Sequence, residues 1–175
     1  MTQQPQFDLK MRRSIGIFFL ALCVTQCMPA QTTMTRSEAF VQSFYNWYLN
    51  KQDLDTAIQR KPELFDPILL RALQDDATAR FRAVGEIDGL DFDPSLNSQD
   101  PSTHFKVTGA NGSLVRVIGY EKQMSQPRER LSVQVRCDAQ HCVFVNFFYP
   151  ASSGIGKTDL LTVLHLLHPQ AKAAN

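Results

Sequence analysis

LSVQVRCDAQHCVFVNFFY, residues 131–149, has the pattern of two antiparallel β-strands joined by a short turn. Leu131, Val133 and Val135 alternate with polar residues, which is typical of a strand with one face in the core and the other in water. Residues 143–149 are apolar almost throughout and predict a central strand. The stretch therefore predicts a β-hairpin inside an antiparallel sheet.

Two cysteines flank the turn of this hairpin. Cys137 and Cys142 enclose residues 138–141, and every other cysteine lies within residues 1–30. In an oxidising compartment we expect the pair to form a disulfide that clamps the two strands where the chain turns. A zinc site with His141 or a redox pair is the alternative, but a spacing of four residues suits neither motif well.

Two further strands are predicted before this hairpin. His104–Thr108 and Leu114–Tyr120 are joined by residues 109–112, Gly-Ala-Asn-Gly, and an Asn-Gly pair favours a tight turn because it tolerates positive φ. Residues 125–128 form the loop from the second strand to the third. The four strands therefore predict an antiparallel meander.

Helical patterns lie on both sides of the strands. Residues 35–38, Thr-Arg-Ser-Glu, have the spacing of a capping box, and the apolar spacing beyond them predicts a helix over residues 36–50. A second helix is predicted over residues 67–83 with Asp66 as its cap, and a closing helix over residues 157–167. We therefore expect an α+β fold, with the N-terminal helices packed on one face of a roughly four-stranded antiparallel meander.

The composition is that of one globular domain. The 175 residues are 43% apolar and 20% charged, and the sequence contains no internal repeat. Lys and Arg number 18 against 17 Asp and Glu, a formal net charge of +1. Binding to nucleic acid requires clustered positive charge, so we expect no nucleic-acid partner. We expect one domain over residues 31–175.

The N-terminus has the order of segments found in a secretory signal. Residues 11–13, Met-Arg-Arg, precede an apolar run over residues 15–24 that is too short to span a bilayer securely. The polar residues 1–10 contribute nothing to such a signal, so we expect Met11 to be the true start. Residues 1–30 are therefore expected to be an N-terminal extension plus a signal peptide.

Two processing outcomes remain open for this leader. Cleavage after Ala30 leaves a soluble periplasmic chain that starts at Gln31. Alternatively, residues 24–27, Val-Thr-Gln-Cys, resemble a bacterial lipobox, in which Cys27 is acylated and becomes the mature N-terminus. The membrane is a partner only in the second case, through a lipid anchor that faces the periplasm.

The acidic stretch of residues 85–100 carries one pattern that resembles a metal site. Its carboxylates and amides alternate in the manner of a calcium loop, but Leu96 stands where such loops need glycine and Ser102 where they need glutamate. One alternative is a looser calcium site built from Asp91, Asp93 and Asp100. The favoured alternative is that these Asp and Asn side chains bond nearby amides and hold a long turn. His165 and His168 share a face of the closing helix, and a metal pair there is not favoured. No metal or other cofactor is therefore predicted.

Catalytic patterns are few. Residues 151–158, ASSGIGKT, fit a relaxed phosphate-loop pattern, but Ala151 replaces its first glycine and no further parallel strands are predicted. We expect a turn in which Thr158 caps the closing helix. His104 with Asp93 or Asp100 is one conceivable acid–base pair. An enzyme is therefore the less favoured interpretation.

Three segments together resemble the bacterial family catalogued as domain of unknown function 3828. They are residues 40–49, FVQSFYNWYL, residues 91–100, DFDPSLNSQD, and the closing strand and helix over residues 147–167. The resemblance covers residues 36–167 and departs at residues 142–144, near which such domains often carry a tryptophan. It implies an exported protein or lipoprotein of Gram-negative bacteria with an α+β fold related to the NTF2-like group. It implies no established activity.

These observations together favour a non-enzymatic binding or interaction module of the bacterial envelope. Aromatic side chains beside polar loop groups form ligand pockets. The residues expected to make contact are Tyr45, Trp47, Tyr48, Asp93, Asn97, Gln99 and Asp100. The partner would be an envelope protein or a small ligand, and one version is an immunity-type protein that shields the cell from a secreted antibacterial toxin. The alternative is a small hydrolase or isomerase that uses His104 with Asp93 or Asp100.

Overall fold

A computed structural model of the chain describes residues 33–50, 53–82, 89–98, 104–120, 128–153 and 156–169. All of them lie in one compact unit, Thr33–Asn175. Several positions of the sequence predictions lie outside the described residues: the leader with Met11 and Cys27, Gln99 and Asp100 of the acidic stretch, Ser125–Pro127, and Gly154 and Ile155.

The fold is α+β, as predicted. The described part of the chain contains four α-helices and a 3-10 helix: α1 (Arg36–Tyr48), α2 (Leu54–Arg60), the 3-10 helix Pro62–Leu64, α3 (Pro67–Arg82) and α4 (Leu160–Leu167). Its five strands are β1 (His104–Asn111), β2 (Leu114–Tyr120), β3 (Arg128–Cys137), β4 (Cys142–Tyr149) and β5 (Thr158–Asp159). They form one antiparallel sheet in chain order, so the predicted meander has a fifth strand.

The β3–β4 hairpin is closed by the predicted disulfide. Cys137 and Cys142 are opposite each other in the register, with their Cα atoms 4.0 Å apart, and their sulfurs are bonded. Asp138 shapes the turn between them, because its carboxylate accepts the amides of Gln140 and His141 at 2.7 and 2.8 Å. The interpretation of the two cysteines as a cross-strand clamp is confirmed.

The β1–β2 hairpin is also present, but its turn differs from the prediction. Asn111 is the last residue of β1 and pairs with Leu114, so the turn residues are Gly112 and Ser113. The positive φ of 62° belongs to Gly112, whereas Asn111 has none. Glycine in the first turn position suits a two-residue hairpin, which moves the turn one residue beyond the predicted Asn-Gly centre.

Helix α1 begins where its capping box predicts. The hydroxyl of Thr35 accepts the amide of Glu38, and the carboxylate of Glu38 accepts the amide of Thr35. Asp66 caps α3 through the amide of Ile68 at 3.0 Å. The short helix α2, capped by Asp53, was not predicted because seven residues carry too little periodicity to recognise.

The closing helix starts later than predicted. Asp159, rather than Thr158, is its cap and accepts the amide of Thr162 at 3.1 Å. Thr158 instead pairs with Tyr149 as part of β5. Asn146 donates its side-chain amide to Asp159 at 2.8 Å, which holds the start of α4 against β4.

The core contains side chains from both the helices and the strands. Helix α1 contacts β1, β2 and β3, whereas α3 and α4 contact β4. An aromatic cluster joins these layers, with Phe44 of α1 against Phe144 of β4 at 4.7 Å between ring centroids. Among the described helices, none combines the length and apolar character that a bilayer crossing needs.

Candidate functional site

Three tyrosines hold the loop that leads from α3 to β1. The hydroxyl of Tyr45 donates to the carbonyl of Ser95 at 2.7 Å, and that of Tyr149 to the carbonyl of Pro94 at 3.1 Å. The hydroxyl of Tyr48 donates to the Asp93 carboxylate at 2.6 Å. A buried tyrosine hydroxyl needs a hydrogen-bond partner, and here the loop supplies all three. The described part of this loop, residues 89–98, is called the acidic loop below.

The acidic loop also bonds to itself and to the sheet. The second carboxylate oxygen of Asp93 accepts the amides of Ser95 and Leu96 at 2.8 and 3.2 Å. Asn97 adopts a φ of 49°, which asparagine tolerates better than most residues, and donates to the carbonyl of Arg130 at 2.7 Å. The interpretation that Asp and Asn side chains bond nearby amides therefore applies to Asp93, whereas Asn97 ties the loop to β3.

Burial sets the protonation behaviour of the Tyr48–Asp93 pair. Burial raises the pKa of Asp93, while hydrogen bonds from Tyr48 and from the amides of Ser95 and Leu96 oppose the rise. Burial, followed by the negative charge of Asp93, raises the pKa of Tyr48 well above its usual range. Tyr48 therefore remains a hydrogen-bond donor at neutral pH, and Asp93 is harder to ionise than an ordinary aspartate.

Asp93 lies in the wall of a cleft of about 290 Å³. The cleft is lined by Asp53, Leu54, Asp55, Arg80, Leu90, Asp91, Phe92, Asp93 and Pro94. Among these lining residues four carry carboxylates and one carries a guanidinium, so negative charge predominates between apolar walls. We call it the acidic cleft.

A buried carboxylate bonds two of the residues that line this cleft. Asp76 is 1% exposed and accepts hydrogen bonds from Arg80 at 3.0 Å, from the amide of Leu90 at 3.1 Å and from His168 at 2.9 Å. Arg80 also reaches Asp55 at 2.8 Å. Asp76 thus joins α3, the acidic loop and the residue that follows α4.

Gly89 is required by this arrangement. Its φ is +99°, and a Cβ atom there would lie 2.7 Å from both the Asp76 carboxylate and the Arg80 side chain. Any other residue would therefore push the acidic loop away from Asp76 and Arg80.

The predicted contact residues do not share one pocket. Tyr45 and Tyr48 are 0% and 1% exposed and belong to the core, where their hydroxyls are satisfied. Asp93 lines the acidic cleft, whereas Trp47 lines a different depression. Asn97 ties the acidic loop to β3.

The alternative acid–base pair is not formed in the described part of the chain. His104 lies at the exposed start of β1, and its ring is 5.4 Å from that of Tyr120. The hydrogen bonds of Asp93 instead come from Tyr48, Ser95 and Leu96. Sequence reasoning missed the His168–Asp76 contact, because the two residues are 92 positions apart and no local pattern connects them.

A second concave region lies along the outer side of α1. One depression of about 490 Å³ is lined by Arg36, Ala39, Phe40, Glu63, Leu64, Gln140, His141 and Cys142. The next, of about 230 Å³, is lined by Phe40, Ser43, Phe44, Trp47, Lys61 and Leu64. Because both are lined by Phe40 and Leu64, the two depressions are adjacent, and together we call them the aromatic groove.

Within the described ranges, no three His, Cys, Asp or Glu side chains are grouped so that they could hold a metal ion. No protein-family model matches the chain, and no curated protein or solved structure is significantly similar to it. The acidic cleft and the aromatic groove are therefore the features that indicate a function.

Proposed function

We propose that the protein is an exported, non-enzymatic binding module of the bacterial envelope, and that it binds a cationic group in the acidic cleft. The observation that carries the proposal is the position of Asp93, a largely buried carboxylate in the wall of a cleft that contains three further aspartates. A positive ligand group would relieve the mutual repulsion of these carboxylates.

The charge balance of the cleft supports a cationic ligand. Arg80 is already engaged by Asp55 and by the buried Asp76, so its charge is largely neutralised. The carboxylates of Asp53 and Asp93 line the same cleft. Apolar walls lower the local dielectric and strengthen attraction to a cation within the cleft.

The size of the cleft limits the ligand. At about 290 Å³ it is at the lower end of ligand pockets, so it suits a single head group better than a large cofactor. An alkylammonium or a guanidinium fits this description. Both occur in the lysine and arginine side chains of a protein partner, which agrees with an interaction module.

The envelope location rests on the leader pattern of residues 1–30 and on the disulfide, which is typical of oxidising compartments. We propose a periplasmic protein, with acylation at Cys27 as the membrane-anchored alternative. The resemblance to the domain of unknown function 3828 family is part of this proposal. The most specific form of the proposal is an immunity-type role against a basic secreted toxin. A pull-down that recovers no envelope enzyme or effector would count against that role.

We also propose that the N-terminal helices cover one face of the sheet, as the sequence predicts. The alternating burial of Phe105 and Val107 in β1 and of Val115 and Val117 in β2 supports this arrangement. It would leave the acidic cleft and the aromatic groove on the helical side of the molecule.

The test is an NMR titration of the ¹⁵N-labelled full chain with N-acetylarginine amide. N-acetylcitrulline amide, which has nearly the same shape but no charge, is the control ligand. We expect saturable shifts of the Leu90 and Phe92 amides with the arginine compound alone. Asp91→Asn should weaken the response at least fivefold, whereas Asp75→Asn, on the exposed side of α3, should not. Equal responses to both compounds, or none, would refute the cationic site.

One observation keeps the hydrolase or isomerase as a second candidate. A carboxyl with a raised pKa in a cleft wall is what a general acid requires, and Asp93 is such a group. In that case Asp93 would act without His104. Turnover of p-nitrophenyl acetate that disappears in Asp93→Asn would favour the enzyme over the binding module.

A further inference from the structure

The aromatic groove is lined by one face of α1. Arg36, Phe40, Ser43 and Trp47 recur at intervals of three or four residues, so they lie above one another on the helix surface. From Arg36 to Trp47 the helix rises about 16 Å. An extended chain of about five residues has the same length. The opposite face of α1 is buried in the core, so the groove uses the side that the fold leaves free.

The walls of the groove are held in place. The 3-10 helix Pro62–Leu64 forms one wall, and the tip of the β3–β4 hairpin, closed by the disulfide, forms another. The guanidinium of Arg36 donates to the carbonyl of Asp138 and so ties α1 to this tip. A site that is formed before the ligand arrives avoids part of the entropic cost of binding.

The charges divide the groove into two halves. In the half next to the hairpin, Arg36 and Glu63 carry opposite charges. In the other half, Lys61 is the charged residue among those that line it. The ammonium of Lys61 lies 5.1 Å from the centre of the Trp47 ring, and in the described part of the chain no carboxylate lies within ion-pair distance of it. This half therefore presents a cation beside aromatic surface.

We propose that the aromatic groove binds an extended segment of a partner protein, with apolar side chains over Phe40 and Leu64 and one acidic side chain that pairs with Lys61. The apolar side chains bury surface on the groove floor. The carboxylate satisfies the cation, and in the partly desolvated groove this pairing is stronger than at an open surface. Tryptophan is one of the residues most enriched at the energetic centres of protein interfaces.

This inference does not depend on the acidic cleft. The two sites have no lining residue in common, and their preferred ligands have opposite charge. Asp91→Asn should therefore leave binding at the aromatic groove unchanged.

The test is selection of a random heptapeptide library displayed on phage against the full-length protein and its variants. The wild type should enrich apolar peptides with an acidic residue. Lys61→Glu should enrich peptides with a basic residue at the same position, and Lys61→Gln should lose the charge preference. Lys106→Glu, an exposed reversal on β1, is the matched control and should retain the wild-type consensus.

Trp47 then locates the bound peptide. It is the single tryptophan of the chain, so its emission reports on this groove alone. The selected peptide should shift the emission saturably, with affinity reduced at least fivefold in Lys61→Glu. A wild-type selection that enriches neutral or basic peptides, or none, would overturn the proposal. An unchanged consensus in Lys61→Glu, or a Trp47 emission that does not respond to the selected peptide, would also overturn it. An emission shift that depends on protein concentration in the absence of peptide would do so too, because it would indicate that a second copy of the chain occupies the groove.

Discussion

The acidic cleft and the aromatic groove differ in how their charges are partnered. In the cleft, Asp93 is bonded to Tyr48, and Arg80 is bonded to Asp55 and Asp76. In the groove, Lys61 contacts an aromatic ring and has no carboxylate partner among the described residues. A buried carboxylate such as Asp76 must be paired for the fold to be stable, whereas the half-buried Lys61 need not be. The charges at the cleft are therefore tied into the framework, and Lys61 is not.

The substitution with the largest expected effect on stability is Asp76→Ala. Removal of the carboxylate leaves His168 and the Leu90 amide without this acceptor and leaves Arg80 with Asp55 alone, and loss of one partner from a buried ion pair costs about 3–5 kcal/mol. The free energy of unfolding in urea measures the loss. Asp75→Ala, one residue away and exposed, should change it by less than about 0.5 kcal/mol. Similar losses in the two variants would show that Asp76 does not support the cleft.

The second test removes the clamp beside the groove, with Cys137→Ser and Cys142→Ser combined. The cysteines are five positions apart, and the loss of so short a cross-link costs about 2 kcal/mol of unfolding free energy. Urea unfolding with and without reductant measures it. The reduced wild type should match the double variant, and a wild type that is insensitive to reductant would contradict the prediction.

The features predicted correctly from the sequence are local. The Thr35–Glu38 capping box spans three residues, and the disulfide joins cysteines on either side of a short turn. In both cases the residues that interact are close in sequence, so their spacing alone defines the geometry. The alternation of buried and more exposed side chains along β2 and β3 is local in the same sense.

The arrangement of the sites is not local and could not be predicted in this way. Tyr48 and Asp93 are 45 positions apart, and Asp76 and His168 are 92 apart. From the sequence, Tyr45 and Trp47 are both expected to line a ligand pocket. The sequence does not show that the hydroxyl of Tyr45 is satisfied by the Ser95 carbonyl. An aromatic residue beside a polar loop can be core or site, and the tertiary hydrogen bond decides between them.

The third test concerns the protonation of Asp93, and we expect a smaller effect than from either change above. Because the pKa of Asp93 is raised in the folded state, its contribution to stability is present below the ordinary aspartate range and is lost as the pH rises through the folded pKa. Asp93→Asn, which keeps an acceptor for the Ser95 and Leu96 amides, removes this dependence. The stability of the wild type relative to Asp93→Asn should therefore fall as the pH rises above the ordinary aspartate range.

Asp138 is the matching control, because its pKa is shifted in the opposite direction from that of Asp93. Hydrogen bonds from the amides of His141 and Gln140 lower its pKa, so its contribution appears above the ordinary aspartate range and is lost as the pH falls. The stability of the wild type relative to Asp138→Asn should therefore rise with pH below the ordinary aspartate range and stay level above that range, where the Asp93 difference falls. Parallel slopes for the two variants would contradict the assignment of a buried carboxyl at Asp93.

The smallest expected effect on stability is that of Lys61→Ala. A cation–π contact at a partly exposed site contributes about 0.5 kcal/mol, so the free energy of unfolding should hardly change. The emission of Trp47 should nevertheless shift, because the ammonium 5.1 Å from its ring is removed. Lys106→Ala should change neither quantity. A loss of about 2 kcal/mol or more in Lys61→Ala would mean that Lys61 belongs to the framework, and the groove would then resemble the cleft instead of differing from it.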